Sequence, residues 1–224
     1  MPATVAWLAG GVDIDIYSDV VCPWCYIGKR RFEQAVAGYD GEVTVTYRPF
    51  QLDPSTPRGP RPLLDWLAPK FGGEARARQI TAHTTEVAAA DGLDLRYDTA
   101  LITNTFEAHR LIWFATRAGA GPETVEALHR AHFTDGLDIG SRDVLASVAA
   151  GVGLDEATVR SYLDSSEGVD EVRAAIEDAY RLGIHSVPTF VFAGKYAVSG
   201  AQDPARLLAV LEEVARREAA DSPA

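Results

Sequence analysis

Val20-Val21-Cys22-Pro23-Trp24-Cys25-Tyr26 holds the only two cysteines of the 224-residue chain. They stand at C-x-x-C spacing, after an alternating apolar run and at the head of an amphipathic one. That places a dithiol at a strand-to-helix junction. Cys22 falls where a helix cap belongs, and Pro23 takes the first helical position, where a missing N–H costs nothing. The unpaired N–H groups and positive dipole end of such a helix favour a thiolate at Cys22. Cys25 lies one turn deeper on the same face and can attack a mixed disulfide formed at Cys22. The spacing therefore supplies a nucleophile and a resolving thiol.

Two other readings of the pair are weaker. Half a zinc site would need about four ligands in all, and His83, His109, His129, His132 and His185 form no second cluster. No metal is expected. A purely structural bridge closing so small a loop would restrict the unfolded chain little.

Working outward, Val12-Asp13-Ile14-Asp15-Ile16-Tyr17 alternates with the period of a strand. From Cys22 to about Gly38 the period is helical, with Ile27, Phe32, Ala35 and Val36 on one side. Val43-Thr44-Val45-Thr46-Tyr47 is a second, β-branched strand. Strand, helix and strand in this length predict a βαβ unit with parallel pairing and a right-handed crossover. Residues 1–11 read as a loose leader.

Pro54, Pro57, Pro60 and Pro62 then make a stiff, irregular connection that marks the end of the first lobe. From about Leu63 to Leu182 the chain reads as helices: 63–71, 74–91, 103–119, 122–135, 141–151, 155–165 and 170–182. The period changes at Ser186-Val187-Pro188-Thr189-Phe190-Val191-Phe192, a strand entered through a proline. Ala193-Gly194 turns it back as a hairpin. Asp203-Pro204 opens a final helix with Leu207, Leu208, Val210, Leu211 and Val214 on its apolar face. Disorder is expected from about Ala219.

A net charge of −11 argues against binding a phosphate backbone, so no nucleic-acid partner is expected. Hydrophobic residues make up 47%, enough for a substantial core. No segment approaches the ~20 apolar residues of a membrane span, and the short apolar N-terminus, with no basic residue before Lys29, does not read as a signal peptide. The expected location is cytoplasmic, where a lone C-x-x-C is held largely reduced and its use is catalytic or transient. Nothing in the pattern specifies an oligomeric state.

The order of elements resembles a thioredoxin fold split by an all-helical insertion, the α/β layout of the DsbA family. The stretches Cys22-Pro23-Trp24-Cys25-Tyr26-Ile27-Gly28, Arg48-Pro49-Phe50-Gln51-Leu52, Asn104-Thr105-Phe106-Glu107-Ala108-His109-Arg110-Leu111, Gly183-Ile184-His185-Ser186-Val187-Pro188-Thr189-Phe190 and Val198-Ser199-Gly200-Ala201-Gln202 resemble its FrnE-like branch, in the expected order. The implied boundaries are 12–58 for the first part of the thioredoxin fold, 59–167 for the insertion and 168–219 for the second part. The resemblance implies a thiol–disulfide oxidoreductase or isomerase, with Cys22 and Cys25 catalytic and the Cys22–Cys25 disulfide in place of any cofactor. It implies protein or small-molecule thiols and disulfides as substrates, and a low-molecular-weight thiol or a reductase for recycling. It also implies a cis Val187–Pro188 bond facing the dithiol, with Val187 backbone groups exposed to an extended substrate.

The kappa-class glutathione transferases and 2-hydroxychromene-2-carboxylate isomerases share the split fold but carry serine where this chain has Cys22, so disulfide chemistry is expected here in preference to theirs. A small-molecule binding or biosynthetic tailoring role, using the groove between dithiol and helices, is the other alternative. Where the superfamily often places a buried carboxylate, six residues before Cys22, this chain has Ile16, which leaves the proton acceptor for Cys25 open.

Substrate-binding candidates are Pro23, Trp24, Asn104, His109, Val187 and Pro188. Trp24 beside an exposed sulfur suits a hydrophobic contact. Asp19 is either a site carboxylate or an Asx-type turn residue. His109 shares a helix with Asn104 and Thr105 and is either a groove residue or a packed one. His129 and His132 read as a solvated pair, and Lys29-Arg30-Arg31 as a solvated helix face.

Overall fold

The computed structural model describes residues 11–221. The expected leader lies, for residues 1–10, outside them. Elements run β1 (Val12–Ser18), α1 (Pro23–Ala37), β2 (Val43–Pro49), β3 (Arg61–Pro62), α2 (Leu63–Phe71), α3 (Glu74–Ala90), β4 (Leu101–Ile102), α4 (Phe106–Arg117), α5 (Gly121–Phe133), α6 (Arg142–Gly151), α7 (Glu156–Asp164), α8 (Val169–Arg181), β5 (Thr189–Phe192), β6 (Tyr196–Ser199) and α9 (Pro204–Asp221).

The main sheet has the order β2-β1-β5-β6. β1 pairs parallel with β2 from Val12↔Val43 to Ser18↔Pro49 and antiparallel with β5. Alternation along β1 buries Val12, Ile14 and Ile16, while Asp13 stays exposed. Those residues join Phe190 and Phe192 of β5, Phe32 of α1, and Leu207, Leu211 and Val214 of α9 in one core. The α9 residues fall at i, i+4 and i+7, a single helical stripe, and α9 packs on α1 and β1. Helices α4, α5 and α8 reach β2, so the chain between β2 and β5 folds back onto the sheet edge beside the dithiol. This is an α/β fold of thioredoxin type carrying a largely helical insertion.

Several expectations are corrected. The insertion is not all helix, because β3 and β4 form a two-stranded ladder, Arg61↔Ile102 and Pro62↔Leu101. Two residues are too few to display a period of two. Helix α4 starts at Phe106 and not Thr103, because the Asn104 side chain accepts the Phe106 N–H (3.0 Å) and holds the preceding residues in a turn. The final helix stays helical through Asp221. His129 and His132 are fully buried. Lys29 is buried as well, with its ammonium on Glu33 and on Glu126 (2.7 Å), while Arg31 pairs with Asp91 (2.8 Å). Of the basic run, only Arg30 keeps substantial exposure.

Candidate active site

Cys22 is the N-cap of α1 and Pro23 its first residue. The Cys22 N–H donates to the Asp19 carbonyl (3.0 Å), and the Cys22 carbonyl accepts from Cys25 N (3.1 Å) and Tyr26 N (3.3 Å). This closes a tight turn out of β1 and starts the helix with both cysteines in its first turn. The two thiols are free. Trp24, between them, is 39% exposed.

The Val187–Pro188 bond is cis, and the Cys22 thiol donates to the Val187 carbonyl at 3.9 Å. The loop is anchored on both sides. Gly200 N–H donates to the Pro188 carbonyl (2.8 Å), and the Thr189 hydroxyl to the Ser186 carbonyl (2.7 Å). Against α1, Pro188 sits over Gly28, where an added Cβ would lie 2.8 Å from Pro188 Cγ. Gly28 therefore sets how closely the loop approaches the dithiol. Gly28 stands in the stretch that carries the family resemblance, but nothing else in the sequence shows why glycine is needed there, since a helical glycine looks the same whether or not another chain segment rests on it.

Cys25 is 2% exposed. Burial pushes its thiol well above the usual range, and hydrogen bonding with Cys22 adds to this; the Asp19 backbone N–H and the Ser18 hydroxyl work in the opposite direction. Asp19 is fully buried. One carboxylate oxygen meets His109 Nε2 (3.2 Å), and the other accepts the Leu52 N–H (2.8 Å). The turn that carries the dithiol is thus tied to α4 and to the segment after β2.

Asn104 belongs to the same scaffold. Its Nδ2 donates to the carbonyls of Pro54 (3.2 Å) and Thr56 (2.9 Å), and its Oδ1 accepts from Gln51 Nε2 (3.2 Å) and Phe106 N. All four of its hydrogen-bonding sites are used, so Asn104 clamps the proline-rich loop and presents no free group to a ligand. Of the substrate-binding candidates, Pro23, Trp24, Val187 and Pro188 surround the dithiol, His109 stands behind it on Asp19, and Asn104 holds the loop beyond.

Behind α1, Tyr26 stacks on His129 (ring centroids 4.8 Å) and donates to Glu126 (2.9 Å). Burial pushes the His129 imidazole down to about 4, with the Lys29 ammonium adding to it. Burial, then His129, push His132 down to about 3. The Leu101 carbonyl favours a proton on His132 but meets neither ring nitrogen in ordinary hydrogen-bond geometry. Among the described residues no group of three or more His, Cys, Asp and Glu side chains could hold a metal ion, and no helix is long and apolar enough to cross a membrane.

A family model described as "DSBA-like thioredoxin domain" matches residues 13–212. YwbO, an uncharacterized protein of Bacillus subtilis, is 32% identical over 207 residues, covering 85% of this chain and 90% of its own. The crystal structure of a probable DsbA oxidoreductase from Streptomyces coelicolor superposes with a TM-score of 0.87 at 34% identity, covering 95% of this chain and 92% of that one. The cytosolic disulfide reductase DsbM from Pseudomonas aeruginosa, in its structure with GSH, shares the fold at 21% identity and a TM-score of 0.63, covering 91% of this chain and 99% of that one.

Proposed function

The chain belongs to the DSBA-like thioredoxin-domain family, and from that premise we propose that it is a thiol–disulfide oxidoreductase with Cys22 as nucleophile and Cys25 as resolving thiol. The observation that carries the reading is the Cys22 sulfur at the head of α1, 3.9 Å from the Val187 carbonyl, with the Cys25 thiol one turn in. An extended chain laid along Val187 would present its own sulfur to Cys22, with Trp24 as an apolar contact.

In the reducing direction the Cys22 thiolate attacks a substrate disulfide, one substrate thiol leaves, and Cys25 displaces the second from the mixed disulfide. The products are a substrate dithiol and the Cys22–Cys25 bridge. In the oxidising direction the same steps run backwards from the bridged protein. Substrates are protein or small-molecule disulfides, and a low-molecular-weight thiol reopens the bridge. The DsbM structure with GSH supports glutathione as that thiol.

Two measurements test the proposal. Cys22→Ser abolishes disulfide exchange, whereas Cys25→Ser accumulates a mixed disulfide at Cys22. Equilibration in glutathione buffers then fixes the direction: a potential of roughly −220 mV or lower assigns reduction or isomerisation, and about −120 mV assigns oxidation. Failure of Cys22 and Cys25 to form a bridge in any glutathione ratio sinks the reading.

A further inference from the structure

Every turnover requires Cys25 to lose or regain a proton, yet bulk water does not reach it. The strand residue six before Cys22 is Ile16, fully buried and unable to accept a proton. Cys22, the Ser18 hydroxyl and the Asp19 N–H all act on the Cys25 thiol through hydrogen bonding, and the buried Tyr47 phenol feels its charge. Cys22 is occupied by the mixed disulfide at the moment Cys25 must ionise, which leaves Ser18 as the hydrogen-bonding side chain through which the proton can depart.

Ser18 also lines a partly open pocket of about 430 Å³, bounded by residues of β2, α4, α5 and α8. His109 lines the same cavity. Its Nε2 rests on Asp19 Oδ1 at 3.2 Å, with the two side chains 2% and 1% exposed. A carboxylate so buried costs several kcal/mol of desolvation unless it is well paired. Among the described residues no Arg or Lys pairs with it; its side-chain partners are one imidazole and one backbone N–H. An imidazole is the side chain suited to taking up and releasing a proton near neutral pH. The cavity is large enough to hold water, and Ser18 and His109 supply polar partners on its wall through which water can link the hydroxyl to the ring.

Resting on the oxidoreductase reading, we infer that the proton of Cys25 leaves through the Ser18 hydroxyl into this cavity, where the Asp19–His109 pair receives it. Charges and atoms balance as follows. The Cys22 thiolate and R–S–S–R give Cys22–S–S–R and RS⁻. Cys25–SH gives its proton to the pair and becomes a thiolate. That thiolate attacks Cys22–S–S–R, forming the Cys22–Cys25 bridge and releasing a second RS⁻. The dithiol loses two electrons and the substrate disulfide gains them. Asp19 acts as a positioning residue, holding the ring and its charge.

Other ionisable groups facing this region are Tyr47 and Arg48 from β2, Arg117 from α4, and Glu171 and Asp178 from α8. His129 and His132 of α5 feel Asp19 electrostatically. Of these, Tyr47 also feels the Cys25 charge, but burial holds its phenol well above the usual range, so it does not take up the proton.

The test mixes reduced protein with the chromogenic disulfide dithiobis-nitrobenzoate in a stopped-flow instrument. Release of the first aromatic thiol reports attack by Cys22, and release of the second reports attack by Cys25. His109→Gln keeps a donor for Asp19 but cannot exchange a proton; Asp19→Asn and Ser18→Ala interrupt the route elsewhere. All three should slow the second phase about tenfold or more while leaving the first phase at its wild-type rate. The second-phase rate of each variant should climb with pH where that of the wild type levels off. In the wild-type protein the second phase should carry a solvent deuterium isotope effect that the first lacks, a measurement independent of whether any variant folds. Wild-type second-phase rates and pH profiles in His109→Gln and Asp19→Asn, or an isotope-free second phase in the wild type, overturn the inference. Absence of any second phase in the wild type overturns the oxidoreductase reading itself.

Discussion

Lowering the pH from 7 to 5 should strip a large part of the protein's stability, through two histidines buried behind α1. His129 and His132 are fully buried on α5, against Tyr26 and Phe133. Burial is the main reason their imidazoles are pushed down, to about 4 and about 3. In the unfolded chain both titrate near the ordinary value of about 6.5. The unfolded state therefore binds protons that the folded state refuses, and stability falls as pH drops below about 6.5, continuing until the folded values are reached. At pH 5 an unfolded histidine is almost fully protonated while its folded counterpart is almost fully neutral. The linkage relation then gives about 2 kcal/mol for each residue between pH 7 and pH 5, or about 4 kcal/mol together. Against a typical total of roughly 5–15 kcal/mol, that is a decisive share. Glu126, Asp53 and Asp155 are held below their ordinary values, and their losses come at still lower pH. The assay is urea unfolding of the reduced protein at half-unit pH steps, which counts the protons taken up on unfolding. The wild type should take up about two near pH 5.5, and His132→Leu about one. That variant should also be at least as stable as the wild type at pH 7, since it breaks no hydrogen bond of ordinary geometry. A stability that is flat between pH 7 and pH 5, or an unchanged proton count in His132→Leu, would refute the reasoning.

Three further outcomes are expected. Gly28→Ala drives a methyl to within 2.8 Å of the rigid Pro188 ring; it should lower stability by about 1–3 kcal/mol and slow disulfide exchange as the Val187 loop is displaced, and wild-type unfolding midpoints and exchange rates would count against the contact. Arg110, 1% exposed, donates to the carbonyls of Tyr162 (3.1 Å), Leu163 (3.2 Å), Ser165 (3.0 Å) and Glu167 (2.6 Å). Arg110→Ala removes these bonds, leaving the Leu163, Ser165 and Glu167 carbonyls without their guanidinium partner, and should cost more than about 3 kcal/mol in chemical denaturation, with Arg110→Lys recovering little because an ammonium cannot reproduce the fork. Asn104→Ala releases the Pro54 and Thr56 carbonyls; it should cost about 1–3 kcal/mol and expose the Pro54–Pro57 loop to limited proteolysis, and a variant as resistant as the wild type would show that the clamp is dispensable.

The order of the helices and of the four strands of the main sheet, the dithiol at a strand-to-helix junction and the proline-led hairpin were legible in the sequence, because each is a local matter. Alternation in 12–17, the 3.6-residue stripe from Ile27 to Ala35, and Pro23 or Pro122 at helix starts depend on neighbours a few residues away. What stayed hidden depends on partners brought from far along the chain. Lys29 reads as a solvated cation until Glu126, 97 residues on, arrives to bury it. His129 and His132 carry no mark of burial, since an imidazole suits surface and core alike, and only the packing of α5 against α1 decides between them. Asp19 fits a simple turn residue until α4 delivers His109 from 90 positions away. Cys22 and Val187 meet across 165 residues, and Gly28 matters only because Pro188 descends on it. Periodicity determines which face of an element is apolar. Which polar group is then sealed beneath that face, and against what charge, was decided only by the tertiary structure, because burying a polar or charged group is tolerable only where another segment supplies its partner.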